Sequence, residues 1–285
     1  MVCLAGIVSA TLIEAQSSAA QPAQTPAIAQ PAQEPGSLPE TKAPAAAPAP
    51  AANQPDLEAE PTPKPSSNWL EEYNQQMADD WPYLGRFKKA NLKLGSPVPG
   101  ESRVVFMGDS ITQDWQIAGM KGYFPGKPYV NRGIKAQTTR QMVLRFRQDV
   151  VLLEPKVVVI LAGINDIAGN TGPETMDEIE GNFASMADMA TANQIRVVLC
   201  STLPASKIDW AQGLKPAPQV VALNAWMKAY AAQKGYVYVD FHTAMKDEHD
   251  GLPSSLSKDG IHPLPAGYAI MAPLVEAGIE KAMAQ

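Results

Sequence analysis

Four short segments of the chain carry residue types that could work together on a carbonyl group. Gly108-Asp109-Ser110-Ile111-Thr112 offers a hydroxyl beside a glycine, and Asp259-Gly260-Ile261-His262 offers a carboxylate and an imidazole three residues apart. A serine hydroxyl attacks only when a base takes its proton, and a carboxylate keeps an imidazole base in the right tautomer. Two further segments offer donors for an oxygen that turns negative. In Asn131-Arg132-Gly133 the glycine lets a backbone N–H come close, and in Gly163-Ile164-Asn165-Asp166 the Asn165 amide supplies N–H groups. Each segment also has a plainer use, as a helix cap or an ordinary turn.

The chain has three histidines. His249 lies in the charged run Lys246-Asp-Glu-His-Asp250 and reads as solvated. His242 follows the apolar run Tyr236–Phe241, with Asp240 two residues back on the same strand face. On residue types and spacing, His262 and His242 both remain candidate bases.

Such groups need elements that bring them together. Short, nearly continuous apolar runs occur at Arg103–Met107, Tyr129–Asn131, Lys156–Ala162, Ile195–Ser201 and Tyr236–Phe241. Continuous rather than alternating hydrophobicity marks strands covered on both faces, as in a parallel sheet. Helical patterns lie between them at Thr138–Leu153, Glu174–Asn193, Pro218–Lys234 and Pro265–Met283. This alternation predicts βαβ units and a doubly wound α/β sheet of five parallel strands. Ligands of such sheets bind beyond the carboxyl ends of the strands, and the first three segments each directly follow an apolar run. Ahead of the sheet, Trp69, Leu70, Tyr73, Met77, Trp81, Leu84 and Phe87 form one helical stripe that ends before Gly95–Gly100. It predicts a helical extension over residues 66–100 packing on the domain.

The chain of 285 residues divides by composition. Residues 21–65 contain 12 of the 26 prolines and no aromatic residue, which predicts an extended tether without a core. Residues 1–20 carry the apolar run Val2–Ile13 and small residues at Ser18 and Ala20, but no basic residue precedes Lys42. They predict a cleaved signal, hence an exported protein, periplasmic or extracellular, with no transmembrane helix once mature. Residues 66–285 are then one α/β domain. A net charge of −6 with no Lys/Arg stripe argues against nucleic acid as a partner. Cys200, inside an apolar strand, reads as a core thiol.

Taken together and in this order, the four segments resemble the sequence blocks of the SGNH (GDSL-like) hydrolases, over Arg103 to the C-terminus. Ser110, Gly133, Asn165 and His262 match the four residues that name that family. The stretches Asn131-Arg-Gly-Ile…Gln137-Thr-Thr and Leu161-Ala-Gly-Ile-Asn-Asp-Ile-Ala-Gly-Asn-Thr171 are similar to bacterial lysophospholipases and platelet-activating-factor acetylhydrolases. Ile111 departs from the leucine in the family name. The resemblance implies a three-layer α/β/α, flavodoxin-like fold and a serine esterase with the triad Ser110, His262 and Asp259. It implies an oxyanion hole made of Ser110 N–H, Gly133 N–H and the Asn165 amide, with no metal and no cofactor. Asp109 and Asp166 are read as organisers of their neighbours, not as acids. A tethered, exported esterase suits removal of short acyl groups, such as acetyl, from a polysaccharide or other carbohydrate. Lysophospholipid or short-chain lipid esters are the alternative, and a tethered binding module without catalysis is a third reading. Ser255-Leu-Ser-Lys258 fits S-x-x-K, but no S-D-N or K-T-G companion occurs.

Overall fold

The structure, a computed structural model, describes residues 68–115 and 124–285; the expected signal and tether lie outside the described residues. Five strands, β1 (Val104–Gly108), β2 (Tyr129–Gly133), β3 (Val157–Leu161), β4 (Arg196–Cys200) and β5 (Val237–Val239), form one sheet in the order β2-β1-β3-β4-β5. Every neighbouring pair is parallel. β1 and β3 are buried at every position, which is what their unbroken Val/Ile/Phe/Met composition requires. The expected flavodoxin-like strand order is therefore present, with its switch point between β1 and β3.

Register does the positioning. Gly108 pairs with Gly133 on one side and with Leu161 on the other, so three strands end at one level. The segments that follow, holding Ser110, Ile134 and Gly163, leave the sheet side by side. Three longer helices, α4 (Thr139–Asp149), α6 (Met176–Ala192) and α7 (Ala217–Lys234), pack in succession, and α9 (Pro265–Met283) packs on β3, β4 and β5. Three single-turn helices, α3 (Ser110–Asp114), α5 (Ile164–Ile167) and α8 (Phe241–Met245), start directly at strand ends. They are too short for a periodic signal, and the sequence did not predict them. The helix expected over 138–153 stops at Asp149; a 3₁₀ turn follows at Val151–Leu153, closed by Glu154 at φ 51°.

The N-terminal stripe needs a correction. Instead of one helix it forms α1 (Trp69–Asp79) and α2 (Lys88–Leu94), separated by turns. Pro82 lacks an N–H and disfavours helical backbone at Trp81, while the Asp80 carboxylate caps Leu84 N and Gly85 N at 2.8 and 2.7 Å. The break exposes carbonyls that α4 and the turn before it use: Gln141 Nε2 donates to Trp81 O and Gln137 Nε2 to Pro82 O. The extension is thus bonded to the domain by backbone groups that an unbroken helix would have hidden. No helix among the described residues is long and apolar enough to cross a membrane.

Candidate active site

Ser110 opens α3, where Asp109 caps the helix by accepting from Ile111 N at 2.9 Å. That cap leaves Ser110 N–H among the unpaired donors of the first turn, pointed where negative charge is favoured. The Ser110 hydroxyl lies 2.9 Å from His262 Nε2, and His262 Nδ1 lies 2.7 Å from Asp259 Oδ2. The other oxygen, Asp259 Oδ1, accepts from Ser257 Oγ, Ile261 N and His262 N at 2.8–3.0 Å. Burial alone would raise the Asp259 pKa, but the hydrogen bonds from His262 and Ile261 outweigh it and hold the carboxyl well below the usual range. Asp259 is therefore a fixed anion against the far side of the imidazole. Burial raises the pKa of both Asp109 and Asp114, and the electrostatic attraction of His262 works against that rise in each.

The rival histidines are elsewhere. His242 sits in α8, its N–H on Ser201 Oγ, and Asp240 caps that helix through Thr243 rather than pairing with the ring. Burial lowers the His242 pKa. His249 is exposed beside Glu248. Cys200 is buried, and burial pushes its thiol up.

The oxyanion donors expected from the sequence are differently disposed. Asn165 follows Gly163, whose φ of 109° belongs to glycine, and its Nδ2 donates to Gln137 O at 3.0 Å and to Asp109 Oδ2 at 3.3 Å. Asn170 Nδ2 holds Asn165 Oδ1 at 2.9 Å, which fixes the amide with its N–H₂ end toward Asp109. Gly133 N–H, by contrast, donates to Asn131 Oδ1 at 2.8 Å and is not open as it stands. What requires glycine there is space: a Cβ would lie 2.2 Å from Gln113 N. Burial pushes Asp109 up to about 6, so the group facing Asn165 is readily neutralised.

Asp166 turns away from Ser110 and accepts from Thr139 N and Thr139 Oγ1 at the start of α4. Its Oδ2, and Oε2 of the neighbouring Glu174, have no other hydrogen-bond partner, and the Glu174 side chain is 1 % exposed. Burial first, and the Glu174 carboxylate second among the raising causes, push Asp166 up to about 7 against the Thr139 hydrogen bonds. A proton held by Asp166 relieves the repulsion from the Glu174 carboxylate. The folded protein then keeps a proton that the unfolded chain sheds near pH 4, so stability falls between about pH 4 and 7 and is flat above. Glu174→Gln removes the like charge and lowers the Asp166 pKa. Its melting temperature relative to wild type is expected to climb from pH 5 to pH 8 by a few degrees, on the order of 1 kcal/mol. A difference that stays constant with pH would mean that Asp166 holds no such proton.

Sequence reasoning missed Ser257, Asn170 and Glu174. Ser257 stands two residues before Asp259, a spacing at which a hydroxyl and a carboxylate meet on a turn. Asn170 lay within the stretch already singled out, without a role.

Residues 106–270 match the family model described as the GDSL-like Lipase/Acylhydrolase family. A GDSL-like lipase from Bacteroides thetaiotaomicron is 43% identical, with TM-score 0.69 over 71% of this chain and 100% of that one. A protein described as an acylhydrolase, from Bacteroides fragilis, is 42% identical, with TM-score 0.70 over 72% and 99%. An acetylxylan esterase of Geobacillus stearothermophilus is 26% identical over 214 residues, 64% of this chain and 93% of the relative. With a serine poised on an imidazole at the mouth of a flavodoxin-like sheet and a family match across it, the chain belongs to the GDSL-like lipase/acylhydrolase family and is an ester-hydrolysing enzyme.

Proposed function

We propose that the enzyme cleaves short acyl esters, acetyl above all, from carbohydrate through an acyl-enzyme on Ser110. The observation that carries the mechanism is the unbroken line Ser110 Oγ–His262 Nε2, 2.9 Å, and His262 Nδ1–Asp259 Oδ2, 2.7 Å. His262 takes the hydroxyl proton as Oγ bonds to the ester carbon, and the carbonyl oxygen becomes an oxyanion. Ser110 N–H and Asn165 Nδ2 receive it, the latter giving up its longer bond to Asp109. Gly133 N–H can add a third bond by leaving Asn131 Oδ1. The tetrahedral carbon then releases the alcohol, which takes the proton from His262. Water repeats the sequence, its proton going to His262, and frees the acid and Ser110.

Likeness to an acetylxylan esterase supports the carbohydrate reading, as does the tether expected ahead of the domain. On that reading the enzyme is exported and meets its polymer outside the cell.

Hydrolysis of p-nitrophenyl esters from acetate to palmitate tests acyl length. The rate is expected to be greatest with acetate and to fall at least tenfold by octanoate. A maximum at eight carbons or more would replace the carbohydrate reading with the lipid-ester one. Failure to turn over any chain length, or to react with a fluorophosphonate, would leave a binding module.

A further inference from the structure

The alcohol part of an ester must lie on the His262 side of Ser110, because His262 Nε2 returns the proton to the departing oxygen. Among the described residues, a large aromatic side chain stands there. The Trp210 ring centre is 6.3 Å from that of His262, with the planes at 36°. The indole is 48 % exposed, yet its only polar atom is already satisfied, Nε1–H donating to Asn170 Oδ1 at 2.9 Å. It therefore presents an apolar ring face to whatever occupies the space beside His262.

That face is held in place. Leu203, Ala205 and Ile208 bury the start of the Trp210 segment in the core. The Lys207 stem lies against the 259–262 turn, where a Cβ on Gly260 would meet Lys207 Cε at 3.8 Å. The segment thus bridges the turn that carries His262 and, through Trp210, the loop that carries Asn170. Asn170 in turn holds Asn165 Oδ1, so one chain of hydrogen bonds sets both the indole and the oxyanion donor.

We infer that Trp210 is the platform of a leaving-group subsite and that the alcohol it takes is a sugar ring, stacked by its C–H face on the indole. This rests on the esterase reading above. A sugar has a flat apolar face and a polar edge, and the surroundings match both. The indole supplies the face, while Lys207 and Asp209, an exposed ion pair at 3.1 Å, and Gln212 supply polar groups in the same segment.

Trp210 has two separable properties, its face and its N–H, and two variants divide them. The substrates are xylose tetraacetate, with a ring alcohol, and methyl acetate, without one. Trp210→Ala is expected to lower kcat/KM for the sugar ester about tenfold more than for methyl acetate, the extra loss arising mainly through KM. Trp210→Phe keeps a flat ring but not the N–H, and is expected to retain most of the sugar preference. Equal losses on both esters through kcat, in both variants, would assign Trp210 to holding Asn170 and overturn the platform. An unchanged ratio of sugar to methyl ester in Trp210→Ala would overturn it as well. Wild-type enzyme inactive on both esters would overturn the esterase reading and the platform with it.

Discussion

Ser110→Ala is expected to lower kcat for p-nitrophenyl acetate by on the order of 10⁴-fold or more and to abolish fluorophosphonate labelling, while the domain stays folded. The size of the loss follows from the chemistry. Without Oγ there is no acyl-enzyme, and what survives is the contribution of the donors and of binding to direct attack by water. The fold survives because the change removes one oxygen from a hydroxyl whose bond runs to His262, across the site rather than into the core. The cap of α3 depends on Asp109, which is untouched.

His262→Ala is expected to match that loss, since the serine without its base is as inert as no serine. The double variant should then be no slower than either single one, because the pair acts as a unit. His242→Ala is expected to stay within about threefold of wild type: its ring Nε2 is buried, and its backbone N–H, which alanine keeps, serves Ser201, so no hydrogen bond among the described residues links it to Ser110. Initial rates of the four proteins decide this. Wild-type rates in Ser110→Ala would remove Ser110 from the mechanism, and loss in His242→Ala alone would move the base.

How much of this was legible in the sequence depended on whether a signal was local. The strands were readable because strands buried on both faces admit only apolar residues, as β1 and β3 show. The place of Ser110 and Asn165 was readable because both follow such a run directly. The break at Pro82 was written in the chain too, but the apolar stripe Tyr73–Met77–Trp81–Leu84 kept helical spacing across it. Spacing alone cannot tell a bent stripe from a straight one. Gly133 marks a different limit. A glycine beside a strand end signals close approach, and the structure shows that close approach to Gln113, with the N–H already used by Asn131. The polar interior was not legible at all. Arg140, Arg145 and Arg147 look alike on one helical pattern, yet one of them is fully buried.

That arginine carries the second large prediction. Arg145 is 0 % exposed and pairs with the equally buried Asp149 at 3.2 Å. Its guanidinium also donates to Gly108 O at 3.0 Å, to Arg132 O at 2.8 Å and to Gln137 Oε1. Gly108 ends β1, Arg132 stands one residue before the end of β2, and Gln137 accepts from Asn165 through its carbonyl. One side chain therefore ties together the three segments that carry Ser110, Gly133 and Asn165. Burial lowers the Arg145 pKa and Asp149 counters it, so the charge is tolerated only as part of this set. Arg145→Met keeps the bulk and leaves Asp149 with the Arg132 charge and with hydrogen bonds from Asn91 and Gln148. It is expected to cost about 3–5 kcal/mol, a fall in melting temperature of roughly 10 °C for a domain of this size. Adding Asp149→Leu removes the stranded carboxylate and should recover part of that loss, whereas two independent contacts would give additive costs. Activity separates the two roles of the arginine. If Arg145 only stabilises the fold, the double variant measured well below its melting temperature should have wild-type kcat. If it also sets the strand ends, kcat stays low after stability is restored, because the donors around Ser110 are no longer held at one level.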